Sequence, residues 1–199
     1  MDYTADEAIT WAKAFMEENM KPSRRRHTEG VVETAVRLAR RYGADPEKAE
    51  LAAWFHDLVR NVDPKALDGL VLELGLDGRY LGNVNLAHGK VAAALMRRDY
   101  GIADEDVLNA VAFHTTGRAG MSLLEKVVFL ADVIEPGRSH PSVEENRRIA
   151  ERSLDEGCLF AMNHTIDYVN SRGEHLDPDT LAAAQDLAGR SGHSEENKE

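Results

Sequence analysis

A single cysteine, Cys158, stands among 199 residues, so no intrachain disulfide can form and no set of thiolates can hold a metal. With Leu154, Met162 and Ile166 at helical offsets, that cysteine reads as a small core residue. Positive charge is also scarce: 24 Lys and Arg against 35 Asp and Glu leave a formal net charge of −11. This balance speaks against nucleic-acid binding and against docking on anionic lipid. It leaves room for a phosphorylated substrate, because metal ions and a few local arginines can reverse the field inside a cleft. No apolar run approaches the roughly 20 residues of a membrane span. The acidic start, Met1-Asp2-Tyr3-Thr4-Ala5-Asp6-Glu7, lacks the basic-then-apolar layout of a signal peptide, and the expectation is a cytoplasmic protein. Internal repeats are missing too, and no stretch alternates apolar and polar residues long enough to demand a strand.

What is there is helix. Ala, Leu, Glu and Arg dominate long segments, and the pattern predicts an all-α chain with helices near 4–19, 23–42, 46–59, 64–73, 85–98, 104–114, 121–134, 143–170 and 178–188. Asp45-Pro46 and Asp63-Pro64 read as caps followed by first-turn prolines. Gly43, Gly101 and Glu135-Pro136-Gly137 read as stops. The segment 61–87, with Gly69, Gly75, Gly78 and Gly82 among leucines, reads as short helices with an irregular loop. One domain over 1–188 is expected, with residues 189–199 as a disordered tail of Gly, Ser and charge. The long segment 143–170 and the Leu-rich 64–81 region pack either within the chain or on a second copy, so a homodimer is open.

Helical phase isolates six polar residues. His27 shares a face with Val31, Ala35 and Leu38; His56-Asp57 closes the run Ala49-Glu50-Leu51-Ala52-Ala53-Trp54-Phe55; His88 leads Val91, Ala92 and Leu95. His114 ends the stripe of Val107 and Val111, and Asp132 completes Leu124 and Val128. A carboxylate on such an apolar stripe is costly unless paired or metal-bound. Histidine and carboxylate without thiolate suit Zn²⁺, Fe²⁺, Mn²⁺ or Co²⁺. Six ligands exceed one tetrahedral site and fit two divalent ions sharing a carboxylate, for which Asp57 is the natural bridge.

The order His, His-Asp, Asp over an all-helical chain resembles the HD superfamily of metal-dependent phosphohydrolases. Longer blocks resemble the bacterial HD-type symmetrical bis(5'-nucleosyl)-tetraphosphatases. They are Arg26-His27, Ala53-Trp54-Phe55-His56-Asp57, Leu86-Ala87-His88-Gly89, the run from Ala112 through His114 to Met121, and the run from Leu124 through Asp132 to Arg138. The resemblance implies an HD-domain helical bundle with a di-iron centre. One metal would take His27, His56, Asp57 and Asp132, and the other Asp57, His88 and His114. It also implies a dinucleoside polyphosphate substrate, diadenosine tetraphosphate, cut symmetrically to two ADP; a mononucleotide or an alarmone is the alternative. One departure is Arg60, where many such enzymes carry lysine three residues beyond the Asp of the pair; Arg presents a planar fork and Lys a point charge.

The turn Thr115-Thr116-Gly117-Arg118 directly after His114 offers hydroxyls, backbone and a guanidinium to phosphate. Arg138, Lys90 and Arg60 are further candidates for substrate contact, and Asp57, Asp132 and Arg118 for catalysis. Of Arg24, Arg25 and Arg26, one is expected to approach the cleft. Arg147 and Arg148 read as part of a solvated face.

Overall fold

The computed structural model describes the backbone of residues 3–196 and the side chains of residues 3–190. Its regular structure, among the described residues, is helical: α1 (Ala5–Asn19), α2 (Pro22–Tyr42), α3 (Pro46–Phe55), α4 (Pro64–Glu73), α5 (Val84–Tyr100), α6 (Glu105–Ala112), α7 (Leu123–Ile134), α8 (Val143–Ala150), α9 (Leu154–Ser171) and α10 (Pro178–Glu196), with a short 3-10 turn at Gly78–Tyr80. The expected all-α bundle is what the chain forms.

Caps set most of these boundaries. Asp45, Asp63 and Asp104 each accept from two backbone N–H groups at the starts of α3, α4 and α6. Each such cap contributes about 1 kcal/mol by satisfying donors that the first turn leaves free. Thr4 and Glu7 form a reciprocal capping box on α1. Gly43 and Gly101 end α2 and α5 in the left-handed region that a Cβ disfavours.

The core is organised on α3 and α7. Ala52, Ala53 and Phe55 in one, and Val127, Val128, Leu130 and Ala131 in the other, are fully or almost fully buried. A helix apolar on nearly every side must be covered all round. α2 packs on both, α6 joins them from the other side with α5 behind it, and α8 and α9 lie against α7. α1 covers α3, with Trp11 stacked toward Phe55 and tilted against Tyr100.

Several expectations need correction. The single helix over 143–170 is two, α8 and α9. Ile149 C=O takes the N–H of both Arg152 and Ser153, which tightens the end of α8, and Ser153 Oγ then accepts from Glu156 N to start α9. Gly157 lets the new helix lie close to Leu130, since a Cβ there would stand 2.8 Å from its Cδ2. The run 46–59 stops at Phe55 and the run 104–114 at Ala112, with the following residues in turns. α10 continues to Glu196 instead of ending at 188; the side chains beyond Arg190 and the last three residues of the expected tail lie outside the described residues. Arg147 is not a solvated residue. Its guanidinium donates to the carbonyls of Ile134, Glu135 and Arg138, closing the free end of α7. No described helix is long and apolar enough to cross a membrane.

Candidate metal centre

The helix ends bring the six residues together. His27 stands in the second turn of α2 and His88 near the start of α5; His56 and Asp57 directly follow α3, His114 follows α6, and Asp132 lies in the last turn of α7. The C-terminal ends of helices leave carbonyls without helical partners, and two of the imidazoles take them. His56 Nδ1 donates to Ala53 O at 2.6 Å, and His114 Nδ1 to Val111 O at 2.8 Å. His88 Nδ1 donates to Val84 O at 2.9 Å, and His27 Nδ1 to the buried Glu135 carboxylate at 3.1 Å. An oxygen of this kind only accepts, so the ring proton sits on Nδ1 in all four cases and Nε2 turns its lone pair inward.

Asp57 lies between two groups of those lone pairs. Its Oδ2 is 3.6 Å from His27 Nε2 and 3.5 Å from His56 Nε2; its Oδ1 is 3.2 Å from His88 Nε2, which in turn is 3.0 Å from His114 Nε2. Donors about 2.1 Å from a shared ion and subtending roughly 90–109° stand about 3.0–3.4 Å from one another. The trio Asp57-His88-His114 therefore has the spacing of metal ligands, and His27-His56-Asp57 gathers its ligand atoms only slightly wider. Asp132 Oδ1 joins the first trio, 3.1 Å from His27 Nε2 and 4.0 Å from His56 Nε2. The Nε2 atoms of His27 and His56 are buried without a hydrogen-bond partner. Two inward lone pairs at 3.0 Å, as on His88 and His114, need a cation between them. The donor set fits two divalent ions.

Electrostatics agree with cation binding. Burial works against charge on Asp57, but His56 and His88 hold its carboxyl well below the usual range. For Asp132 burial is likewise outweighed, by the adjacent His27 ring and by the charges of His56 and Arg138. Burial, with His88 and His56 beside it, pushes His114 down to about 3. His56 is raised: its burial is overcome by the charges of Asp57 and Asp132.

The remaining predicted residues fall in different settings. Arg138 donates from Nε to Asp132 O at 2.7 Å and from Nη2 to Asp132 Oδ1 at 2.5 Å. Arg118 forms a two-point pair with the buried Glu125. Thr115 Oγ1 lies 3.1 Å from His114 Nε2. Thr116 and Gly117 turn into the core, where Thr116 Oγ1 donates to Gly117 O and a Cβ on Gly117 would meet Met162 and Met121. Arg60 is held by Asn85 Oδ1 at 2.5 Å. Lys90 is buried, its Nζ 3.1 Å from the centre of the Phe113 ring and without a hydrogen-bond partner, and burial pushes the ammonium down to about 7. Sequence reasoning missed Glu135, visible in the chain only as a helix stop. It left Arg24 unresolved among three arginines. Arg24 Nη1 donates to Asp57 Oδ2 at 2.6 Å, and its position three residues before His27, on the same helical face, is the signal that singles it out.

Comparison with known proteins follows the same lines. A family model described as the HD domain matches residues 24–137. The chain is 42% identical over 177 residues to a symmetrical bis(5'-nucleosyl)-tetraphosphatase of Halalkalibacterium halodurans, covering 88% of this chain and 95% of that one. It is 38% identical over 171 residues to the protein of the same name from Bacillus subtilis, covering 85% and 92%. A crystal structure from Clostridium acetobutylicum, described as a predicted HD superfamily hydrolase involved in NAD metabolism, superposes with a TM-score of 0.87 at 36% identity, covering 96% of this chain and all of that one.

Proposed function

The chain belongs to the HD domain family, among its symmetrical bis(5'-nucleosyl)-tetraphosphatases, and from that premise we propose that it hydrolyses diadenosine tetraphosphate to two molecules of ADP. The observation that carries the reading is Asp57, whose two oxygens face two separate sets of imidazole lone pairs. His27, His56, Asp57 and Asp132 would hold one divalent ion, and Asp57, His88 and His114 the second. When bound, such a pair supplies Lewis-acid polarisation of phosphoryl oxygens and acidifies water toward neutral pH.

The chain's own groups do the rest. Water adds to a phosphorus at the centre of the tetraphosphate, the bridging P–O bond breaks, and each half leaves as ADP. Asp132, on the partly exposed side of the centre, orients the attacking water. Arg138 and Arg24 keep Asp132 and Asp57 ionised and offset charge on the phosphate chain. Thr115 Oγ donates to a phosphoryl oxygen beside His114. Arg118, held in plane by Glu125, supplies the guanidinium that meets transition-state charge. Lys90 and Arg60 add cationic contacts further out, while Thr116 and Gly117 shape the turn that presents Thr115 and Arg118. We assign iron to the centre on the family likeness; the donor set alone equally accepts Mn²⁺, Co²⁺ or Zn²⁺. A cytoplasmic location, with its nucleotide pool, completes the reading.

Product analysis on diadenosine tetraphosphate with purified, metal-loaded protein tests the assignment. Only ADP is expected, and AMP with ATP would refute it. A second reading keeps the centre and changes the nucleotide, to a mononucleotide or an alarmone; the involvement in NAD metabolism ascribed to the Clostridium relative favours including it. A side-by-side substrate panel separates the two, and elemental analysis paired with activity identifies the metal.

A further inference from the structure

A tetraphosphate cut at its centre carries a nucleoside on either side of the metals, and the groups described so far handle phosphate and neither base. Resting on the tetraphosphatase reading, we propose that a surface cavity behind Asp132 is a purine-nucleoside subsite for one end of the substrate. It lies between the end of α7, the loop that follows it and α9, with a volume of about 410 Å³. That is within the range of roughly 300–1,000 Å³ typical of small-molecule sites.

Three features point to a nucleoside. Asn146 lines the cavity while only 1% exposed, and its Oδ1 is buried with no hydrogen-bond partner. An orphaned amide oxygen is costly, and an exocyclic amino group of a purine is the donor that an asparagine side chain pairs with. On α9, Phe160, His164 and Tyr168 follow one another at single-turn spacing and line the same cavity; the first two rings meet edge to face at 4.5 Å, and Tyr168 is 60% exposed. Aromatic faces free at one side are stacking platforms for bases. Finally, Arg138 forms the wall toward the metal centre, where it also holds the Asp132 carboxylate. A phosphate chain running from this cavity to the centre passes that guanidinium. Thr115, whose Oγ1 lies 3.1 Å from His114 Nε2, stands instead on the His88-His114 side of the centre.

The test compares the metal-loaded full chain with Asn146→Leu and Tyr168→Ala, on diadenosine tetraphosphate and on adenosine 5'-tetraphosphate, which lacks the second nucleoside. Tyr168 is exposed, so its variant keeps the fold even where Asn146→Leu does not. Both variants are expected to raise KM for the dinucleoside by about 10-fold, the size of one lost stacking or base contact, with kcat and metal content held within about two-fold. KM for adenosine tetraphosphate should move less than that for the dinucleoside. An unchanged dinucleoside KM in Tyr168→Ala overturns the subsite. So does a change in oligomeric mass with unchanged KM, which would give the α9 face to a second copy. Should the wild-type protein cleave neither compound, the tetraphosphatase reading fails by itself. The cavity is then judged by photolabelling with 8-azido-ADP: label on α9 that Tyr168→Ala removes supports it, and label confined to other peptides refutes it.

Discussion

Each imidazole of the centre gives its Nδ1 proton to an oxygen that can only accept, and three of those oxygens are backbone carbonyls. His27 is the exception, oriented by Glu135, which also takes the N–H of Gly137 at 2.5 Å. A carboxylate behind a ligating histidine fixes the ring and raises its basicity. Glu135→Gln keeps the shape and loses the charge. The expected result is a loss of about 10–100-fold in affinity at the first metal site, read by chelator competition, with the His88-His114 site changed less. Equal affinities in both proteins would leave Glu135 without this role. Asp57→Ala is the sharper change. Turnover should fall to background and metal content below two ions per chain; full activity at unchanged metal content would remove the bridging carboxylate from the mechanism.

Among the elements, the α5–α6 approach depends on one missing side chain. A Cβ on Gly89 would stand 2.8 Å from Val111 O and 3.0 Å from the His114 ring. Val111 O is the acceptor that orients His114, so Gly89→Ala presses on a ligand through its anchor. A stability loss of about 1–3 kcal/mol is expected from overpacking, with weakened metal binding, and calorimetry beside elemental analysis would measure both. Wild-type stability and metal content would show that the helices can part without consequence. The same elements show what the sequence discloses. Apolar stripes on α2, α5 and α7, with proline after aspartate at the starts of α3 and α4, make the bundle readable. The ligands were legible because polar residues on such stripes are expensive. The α8–α9 break was not, since no glycine or proline marks it; the only sign is Ser153 three residues before Glu156, a cap signature inside a continuous helical pattern. Burial of Lys90 was equally hidden, because it depends on Phe113 arriving from a different helix. Glu135 escaped notice because its partner lies 108 residues away in sequence.

The whole molecule answers to pH through these buried groups. In the metal-free protein His114 titrates near 3, while the unfolded chain takes up that proton near ~6.5. Between those values the unfolded state binds more protons, so this group lowers stability as pH falls. His56 has the opposite sign: its raised value contributes stability that is complete below ~6.5 and is lost as pH rises through the folded value. Asp57 and Asp132, both depressed, contribute stability present above the unfolded value of ~3.9 and lost as pH falls below it. Tm of the metal-free chain should therefore fall gradually from about pH 6.5 to about pH 4, where His114 acts unopposed because His56 already gives its full contribution, and more steeply below that as Asp57 and Asp132 lose theirs. The metal-loaded chain should already lose stability where protons compete for its imidazoles. Scanning calorimetry with and without chelator checks this, and a metal-free Tm that holds constant to pH 3 would contradict it.

The ligands sit at the ends of different helices, from His27 in α2 to Asp132 in α7. Two ions at such a junction would act as cross-links between segments that the loops connect only loosely, and bound metal would favour the folded chain by mass action. Removing them should release a set of distant segments at once. Chelation is expected to speed backbone amide exchange together at the ends of α3, α6 and α7 and the starts of α2 and α5, with α1 and the aromatic cluster around Trp11 unaffected. Exchange that rises at only one of those ends would mean that the ions fasten a single helix and that the bundle holds its own shape.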